Sequence, residues 1–238
     1  EMRESDWSSD VCSSDLLVRG THRRNVVPPV AFIQHLEENG TIVEMGYYVM
    51  EKALSFIAQK QADAHEAFMY TLNISAVQLN DPEFADHALG IVETRQLHAA
   101  QLVFEITPGP IALNEAGLKN LQALQDEGIN IAWDGVGSLE ILRERLACWE
   151  PDYIKLDRSC LACNRQEETA SILQLIAQHD IDVIIEGVEN YTQISSMLKQ
   201  GVKYGQGYLF SRPISKESFQ REYMQHQQAQ TRAAHAQR

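Results

Sequence analysis

Short apolar segments alternate regularly with longer amphipathic ones along most of this sequence, and that alternation constrains the fold more than any other feature. A short apolar segment predicts a β-strand, whereas apolar residues at helical spacing over a longer segment predict an α-helix. We predict strands over residues 68–74, 102–107, 129–133, 153–156, 183–185 and 202–205, and the tail of another over 16–19. We predict helices over residues 30–39, 41–64, 81–96, 113–127, 138–149, 165–179, 191–200 and 215–223.

Strands that alternate with helices in this way form parallel βαβ units. An open doubly wound sheet and a (β/α)8 barrel can both be built from such units. The barrel is favoured because polar residues recur at strand ends along the whole chain, as a shared ring at one face of a barrel requires. A doubly wound sheet would concentrate its ligand contacts at one switch point, and no glycine-rich phosphate loop follows the first strand.

Composition divides the chain into three parts. Residues 1–15 are rich in Ser and Asp without a useful period, so we interpret them as disordered or non-native. Residues 16–219 carry the alternating pattern and are predicted to form the barrel domain. Residues 220–238 make a polar tail rich in Gln and His.

Charge and cysteine content restrict the partners and the compartment. The formal net charge is −13, which argues against binding to nucleic acid polymers or to anionic membranes. The 4 cysteines are too few for a disulfide framework at this length, which favours a reducing cytoplasm. We find no apolar run long enough for a membrane span and no signal peptide, so the chain is predicted to be cytoplasmic.

Polar side chains stand at or just beyond the predicted carboxyl end of each strand. They are Arg19, Asn73, Glu105, Asp134, Lys155, Asp157, Glu186, Glu189 and Gln206. Converging carboxylate and amide oxygens without Cys or His suit hard cations such as Mg²⁺ or Mn²⁺. A lysine beside such a set suits an anionic oxygen in a transition state. The set therefore predicts metal-assisted chemistry on a phosphoester. The alternative is that these are ordinary solvated loop residues.

Several of these residues also have a purely structural interpretation. Asn73 could cap the turn that follows it, and Asp134 precedes a glycine as turn-forming aspartates often do. Lys155 and Asp157 lie on one strand face and could form a plain ion pair. Cys160-Leu161-Ala162-Cys163 is a Cys-x-x-Cys sequence, but one pair without partner ligands is weak and is interpreted as incidental.

Five short motifs, in this order and spacing, resemble the EAL domain family, which contains the cyclic di-GMP phosphodiesterases of bacterial signalling. The motifs are Leu72-Asn73-Ile74-Ser75, Phe104-Glu105-Ile106-Thr107, Ile154-Lys155-Leu156-Asp157-Arg158, Glu186-Gly187-Val188-Glu189 and Gln206-Gly207-Tyr208-Leu209-Phe210-Ser211-Arg212-Pro213. The resemblance runs from about Leu16 to Phe219. It implies a TIM-like (β/α)8 barrel of the EAL type that binds cyclic di-GMP at its C-terminal face.

The same resemblance implies two metal ions, Mg²⁺ or Mn²⁺, and the product linear pGpG. It makes Asn73, Glu105 and Asp134 ligands of one metal, and Asp157 a ligand or a residue that orients the attacking water. It also implies partners: a second copy of the chain, or upstream sensor or cyclase domains that could tether the protein in the bacterial cytoplasm.

The remaining residues receive roles around the reacting phosphodiester. By resemblance, Lys155 would steady the water and the developing charge, and Glu186 would bind metal or position water. Glu189 falls on a residue that braces the active-site loop. Gln206 and Arg19 match positions that hold the nucleotide and its phosphate.

Three departures from the family pattern bear on activity. Asp15 stands where the family has its name-giving glutamate, and the preceding strand is absent, so we expect the first strand to be missing or replaced. Gly135 replaces the second of two consecutive aspartates, and glycine has no oxygen to offer the second metal. Pro108 replaces a glutamate that supports the same loop.

These departures leave one metal site expected and the second doubtful. We predict that the domain binds cyclic di-GMP, with phosphodiesterase activity weak or lost. The alternatives are an active metal-dependent phosphodiesterase and a catalytically silent protein–protein interaction domain.

Overall fold

The structure is a computed structural model that describes residues 13–15, 20–22, 25–27, 32–61, 69–107, 112–215 and 218–219. Its strands are β1 Ser13–Asp15, β2 Gly20–His22, β3 Asn25–Val27, β4 Met69–Ser75, β5 Leu102–Thr107, β6 Asn130–Val136, β7 Tyr153–Leu156, β8 Asp182–Ile185 and β9 Tyr204–Gly205. Its α-helices are α1 Ile33–Glu38, α2 Ile42–Gln61, α3 Ala76–Leu79, α4 Phe84–Thr94, α5 Glu115–Asp126, α6 Leu139–Cys148, α7 Gln166–Ile176 and α8 Tyr191–Leu198.

Seven strands form one sheet in the order β1-β4-β5-β6-β7-β8-β9, and β2 pairs with β3 in a separate antiparallel hairpin. Every pairing in the large sheet is parallel. Strand order follows chain order without reversal, so the sheet has no switch point of the doubly wound kind. This is the winding of a (β/α) barrel, as the sequence predicts.

The first strand differs from the expectation. Ser13–Asp15, the last three residues of the segment interpreted as disordered or non-native, pair in parallel with Met69, Tyr70 and Thr71 of β4. Backbone pairing at an open sheet edge needs no apolar pattern, which explains why the sequence did not reveal this strand. The strand tail expected over 16–19 lies outside the described residues.

Most element bounds agree with the sequence to within a few residues. The helix expected over 81–96 begins at Phe84, because the Asp81 carboxylate accepts a hydrogen bond from the backbone N–H of Glu83 in the preceding turn (3.2 Å). The strand expected over 129–133 continues to Val136. Of the helix expected over 215–223, only residues 218 and 219 are described as helical.

The core lies between the sheet and the helices that cover it. On β5, Leu102, Phe104 and Ile106 alternate towards the helices, and the Phe104 ring meets Phe84 of α4 edge-on with centroids 6.3 Å apart. The opposite face of the same strand carries Glu105, which is as buried as its apolar neighbours. Two faces of one strand are therefore covered, as in parallel sheets generally. Among the described helices, none is long and apolar enough to span a membrane.

Candidate functional site

Lys155 lies at the centre of a group of three carboxylates contributed by three other strands or strand ends. Its Nζ is 2.8 Å from Glu105 Oε2, 2.8 Å from Glu186 Oε1 and 3.6 Å from Asp134 Oδ1. The Lys155 and Glu105 side chains are 2% and 1% exposed, whereas Asp134 and Glu186 are 18% and 27% exposed. These are four of the nine residues predicted to gather at this edge, and their functional roles stay predictions.

Strand periodicity explains this convergence. Lys155 alternates with Ile154 and Leu156, both fully buried on the helix side of β7, so its own side chain points to the opposite face. Glu105 occupies the same face of β5, and Glu186 directly follows the last residue of β8. In parallel strands these carboxyl ends meet at one edge of the sheet, which brings the charges together.

Asp134 is aimed by a β-bulge in β6. Trp133 pairs with Ile154 and Val136 pairs with Leu156, so β6 has one residue more than β7 over this stretch. Gly135 takes up the distortion with φ +67, in the left-handed region that glycine enters without steric cost. An added Cβ at Gly135 would meet no atom within 4 Å among the described residues. The position lacks a carboxylate although it has room for one.

Charge balance within this group keeps Lys155 protonated. Burial is the largest single influence and would lower the pKa of Lys155. The carboxylates of Glu105, Glu186 and Asp134, with the hydrogen bond to Glu105, together outweigh burial and raise that pKa above its ordinary value. Lys155 therefore remains an ammonium across the neutral range. Three carboxylates against one ammonium leave negative charge in a site that is largely out of water.

Asp157 does not pair with Lys155; among the described residues the ion pairs of Lys155 are those with the three carboxylates named above. The plain Lys155–Asp157 ion pair considered from the sequence is thus wrong. Asp157 caps the 3-10 helix Arg158–Leu161, because its Oδ1 accepts from the backbone N–H of Ser159 at 2.8 Å. Burial would raise the pKa of Asp157, but the bonds from Ser159 and the charges of Arg158 and Arg165 hold it below its usual value.

The other predicted site residues lie at the same edge or outside the described chain. Asn73 is exposed at the end of β4, where its Oδ1 accepts from Thr107 Oγ1 at 3.5 Å. Gln206 follows β9 and its backbone bridges Ile185 and Val188. The Glu189 side chain is exposed and makes no hydrogen bond or ion pair within the described ranges. Arg19 falls outside the residues the structure describes.

The types of residue at this edge suit a hard cation, but their arrangement fits one less well. Asp134 Oδ1 is buried and accepts no hydrogen bond from the described part of the chain, as expected of an oxygen kept for a cation. Yet no three His, Cys, Asp or Glu residues among those described are placed so as to hold a metal ion. Lys155 Nζ stands among the acids instead. Asn73, Glu105 and Asp134 are the residues that would supply oxygen ligands.

Sequence reasoning missed Arg165, which is the N-cap residue of α7 and reaches the segment after the β6 bulge. Its guanidinium donates to the backbone oxygen of Gly137 and, at 2.6 Å, to Ser159 Oγ. A signal was present in the sequence. A cation at a helix N-terminus opposes the helix dipole, so an arginine at that position indicates a contact outside the helix.

Comparison with known proteins identifies a matching family and several similar proteins. The model of the EAL domain matches residues 5–213. In Escherichia coli (strain K12), the probable cyclic di-GMP phosphodiesterase PdeI is 29% identical over 197 residues, and the cyclic di-GMP phosphodiesterase PdeR is 29% identical over 224 residues. These alignments cover 80% and 91% of this chain but 25% and 34% of the relatives, so the chain spans about a quarter to a third of their length.

A solved structure shares the fold. The EAL enzyme Bd1971, in a form with cAMP and cyclic di-GMP bound, superposes with a TM-score of 0.77 at 24% identity. The superposition covers 87% of this chain and 59% of that one. The seven-stranded parallel sheet is accordingly part of a TIM-like barrel.

Proposed function

The chain belongs to the EAL domain family, and from that premise we propose that it binds cyclic di-GMP at the carboxyl edge of its sheet and hydrolyses it weakly or not at all. One observation carries the proposal: Lys155 is assembled with Glu105, Asp134 and Glu186 at the sheet edge, while Gly135 beside them offers no carboxylate. The assembled side chains support binding, and the missing carboxylate supports weak or absent hydrolysis.

The proposed division of labour follows from the charges. Asn73, Glu105 and Asp134 would hold Mg²⁺ or Mn²⁺, and such an ion would supply positive charge that attracts a phosphodiester. Lys155 stays protonated and offers a second positive charge to a phosphate oxygen. Gln206 and Arg19 hold the nucleotide, and Glu189 supports the loop beside it.

The state of Asp157 argues for slow chemistry. A general base works best when its pKa lies near the working pH. The pKa of Asp157 is held below its usual value, so this carboxylate attracts a proton weakly and suits orientation of a water molecule better than proton removal. Glu186, 2.8 Å from Lys155, is the other acid placed to position water in the same site.

A second candidate is an active phosphodiesterase that yields linear pGpG. It is favoured by the joint presence of Asn73, Glu105, Lys155, Asp157 and Glu186, and by relatives that are named cyclic di-GMP phosphodiesterases. A protein–protein interaction role would remain if the nucleotide neither bound nor turned over.

The deciding experiment measures turnover and equilibrium binding of cyclic di-GMP in parallel, with and without Mn²⁺ or Mg²⁺. We expect binding, and linear product that does not exceed the amount of protein. Product well in excess of protein would establish the phosphodiesterase and overturn our proposal. Absence of both binding and turnover would overturn both nucleotide roles.

Two matched variants locate the site in that experiment. E105Q removes one of the three carboxylates around Lys155 and one of the proposed metal ligands, and we expect it to abolish any gain in affinity produced by Mn²⁺. E93Q makes the same substitution on α4, where Glu93 is exposed, and should retain that gain. Equal behaviour of the two variants would place cyclic di-GMP elsewhere on the protein.

A further inference from the structure

Arg165 joins three separate elements through one planar side chain. Its Nε and Nη2 donate to Glu168 Oε2 of α7 at 3.1 and 2.7 Å, its Nη1 donates to Ser159 Oγ at 2.6 Å, and its Nη2 also donates to the Gly137 carbonyl oxygen. The side chain is 26% exposed. An arginine can serve such separated acceptors because its donors form a rigid fork.

Two of these bonds reach the segments that carry the site. Gly137 lies three residues after Asp134, directly beyond the bulge. Ser159 donates its backbone N–H to Asp157 Oδ1. The two segments also approach closely, since a Cβ added at Gly137 would lie 3.4 Å from Ser159 Oγ and 3.5 Å from Asp157 Cβ. Arg165 therefore binds the segment of Asp134 and that of Asp157 at their point of contact.

Arg165 adds to the bonds that hold the segment after the bulge. Backbone bonding between the two segments ends at Val136, whose oxygen accepts from Asp157 N at 3.0 Å. Gly135 and Gly137 flank Val136, and glycine restricts the backbone least of all residues. The Glu189 side chain, which the family resemblance makes a loop support, makes no hydrogen bond or ion pair with the described residues.

We propose that Arg165 is a positioning residue: by binding the Gly137 carbonyl and Ser159 together, it fixes the bulge that aims Asp134 into the site. The location of Arg165 at the start of α7 supports this, because a cation there opposes the helix dipole and Glu168 compensates it. As far as nucleotide binding is concerned, the inference rests on the function proposed above.

Hydrogen exchange tests the positioning role without any ligand. Loss of the Gly137 and Ser159 bonds in R165M should make the amides of residues 135–139 exchange roughly tenfold faster, while exchange in 69–75 stays unchanged. R143M, at an exposed arginine of α6, should match the wild type in both segments, and so should E168Q, which keeps an oxygen acceptor. Exchange in 135–139 that is equal in R165M and R143M would overturn the proposal.

R165K separates bridging from charge. Lysine keeps the positive charge but presents its donors at one point, so it reaches one segment at a time. We expect exchange in 135–139 to remain faster than in the wild type. Full restoration by R165K would refute the two-segment bridge. If R165M unfolds, which faster exchange throughout the chain would reveal, R165K alone decides.

A second measurement connects Arg165 to the site. Cyclic di-GMP affinity should fall about tenfold in R165M, as displaced binding groups weaken an interaction, and stay unchanged in R143M. Unchanged affinity in R165M would confine its role to the segment and overturn the link to Asp134. If the wild type itself binds no cyclic di-GMP, the proposed function fails, while the exchange result still decides whether Arg165 positions the bulge.

Discussion

Replacing Lys155 by methionine tests the charge balance that organises the site. Methionine has a similar unbranched shape, so K155M removes the charge with little change in packing. Two opposite charges 2.8 Å apart attract by about 6 kcal/mol at an effective dielectric constant of about 20, and Lys155 has two such partners. Much of that attraction offsets the cost of burial, and removing one partner of a buried pair costs roughly 3–5 kcal/mol.

The expected effect on thermal stability follows from this energy. For a domain of this size, 3–5 kcal/mol corresponds to a fall in Tm of about 6–20 °C. The matched control is K203M, since Lys203 Nζ is 2.9 Å from Asp182 Oδ1 but its side chain is 68% exposed. Exposed ion pairs contribute little, so K203M should leave Tm essentially unchanged. Thermal unfolding followed by circular dichroism measures both.

The pH dependence of K155M supplies an independent check. Without the ammonium, burial favours the protonated form of Glu105, so the folded variant binds more protons than the unfolded chain. Its stability is then greatest at low pH and is lost as the pH rises through the folded-state pKa of Glu105. The gap in Tm between wild type and K155M should therefore be smaller at pH 5 than at pH 8. A loss no larger than that of K203M, or a gap independent of pH, would refute the reasoning.

Two further substitutions test Gly135 and Asp157. G135D has room for its side chain but places a non-glycine residue at φ +67, so we expect a loss of about 1 kcal/mol in unfolding free energy and no restored hydrolysis; rapid cyclic di-GMP turnover by this variant would contradict us. D157N keeps an oxygen that can accept from Ser159 but removes the negative charge, and we expect it to lower stability by about 0.5 kcal/mol at neutral pH. The folded-state pKa of Asp157 is lowered, so its contribution is present above about pH 4 and disappears as the pH falls further. Chemical denaturation at pH 7 and pH 3 should therefore show a smaller D157N difference at pH 3 than at pH 7.

The sequence predicted the fold and the central charges because both follow from periodicity. Alternation of strands and helices indicated parallel winding, and residues at strand ends had to meet at one edge. Glu105, Lys155 and Glu186 meet there as expected. The sequence could not reveal that Ser13–Asp15 pairs with β4, since that contact uses backbone groups and leaves no side-chain pattern.

The sequence was less informative wherever a polar residue had a choice of partners. Asp157 lies on the strand face of Lys155, yet its carboxylate caps the next turn, where a backbone N–H is two residues away. Arg165 resembled an ordinary helical surface residue, and its contacts with Gly137 and Ser159 depend on how two loops approach. Spacing along one strand does not determine such contacts between loops.

Gly135 shows why the absence of one side chain and the conformation of the backbone have to be considered together. Gly135 stands where the EAL family motif has an aspartate, so the site has one carboxylate fewer than that motif. In the structure it also holds the β6 bulge at φ +67, and that bulge directs Asp134 to a point 3.6 Å from Lys155. An aspartate at this position would regain an oxygen at the expense of backbone strain, because non-glycine residues adopt this conformation at a cost. The glycine therefore favours a site that keeps Asp134 in place. Under the proposed function, a gain of hydrolysis would require the bulge and its support from Arg165 to accommodate a second carboxylate.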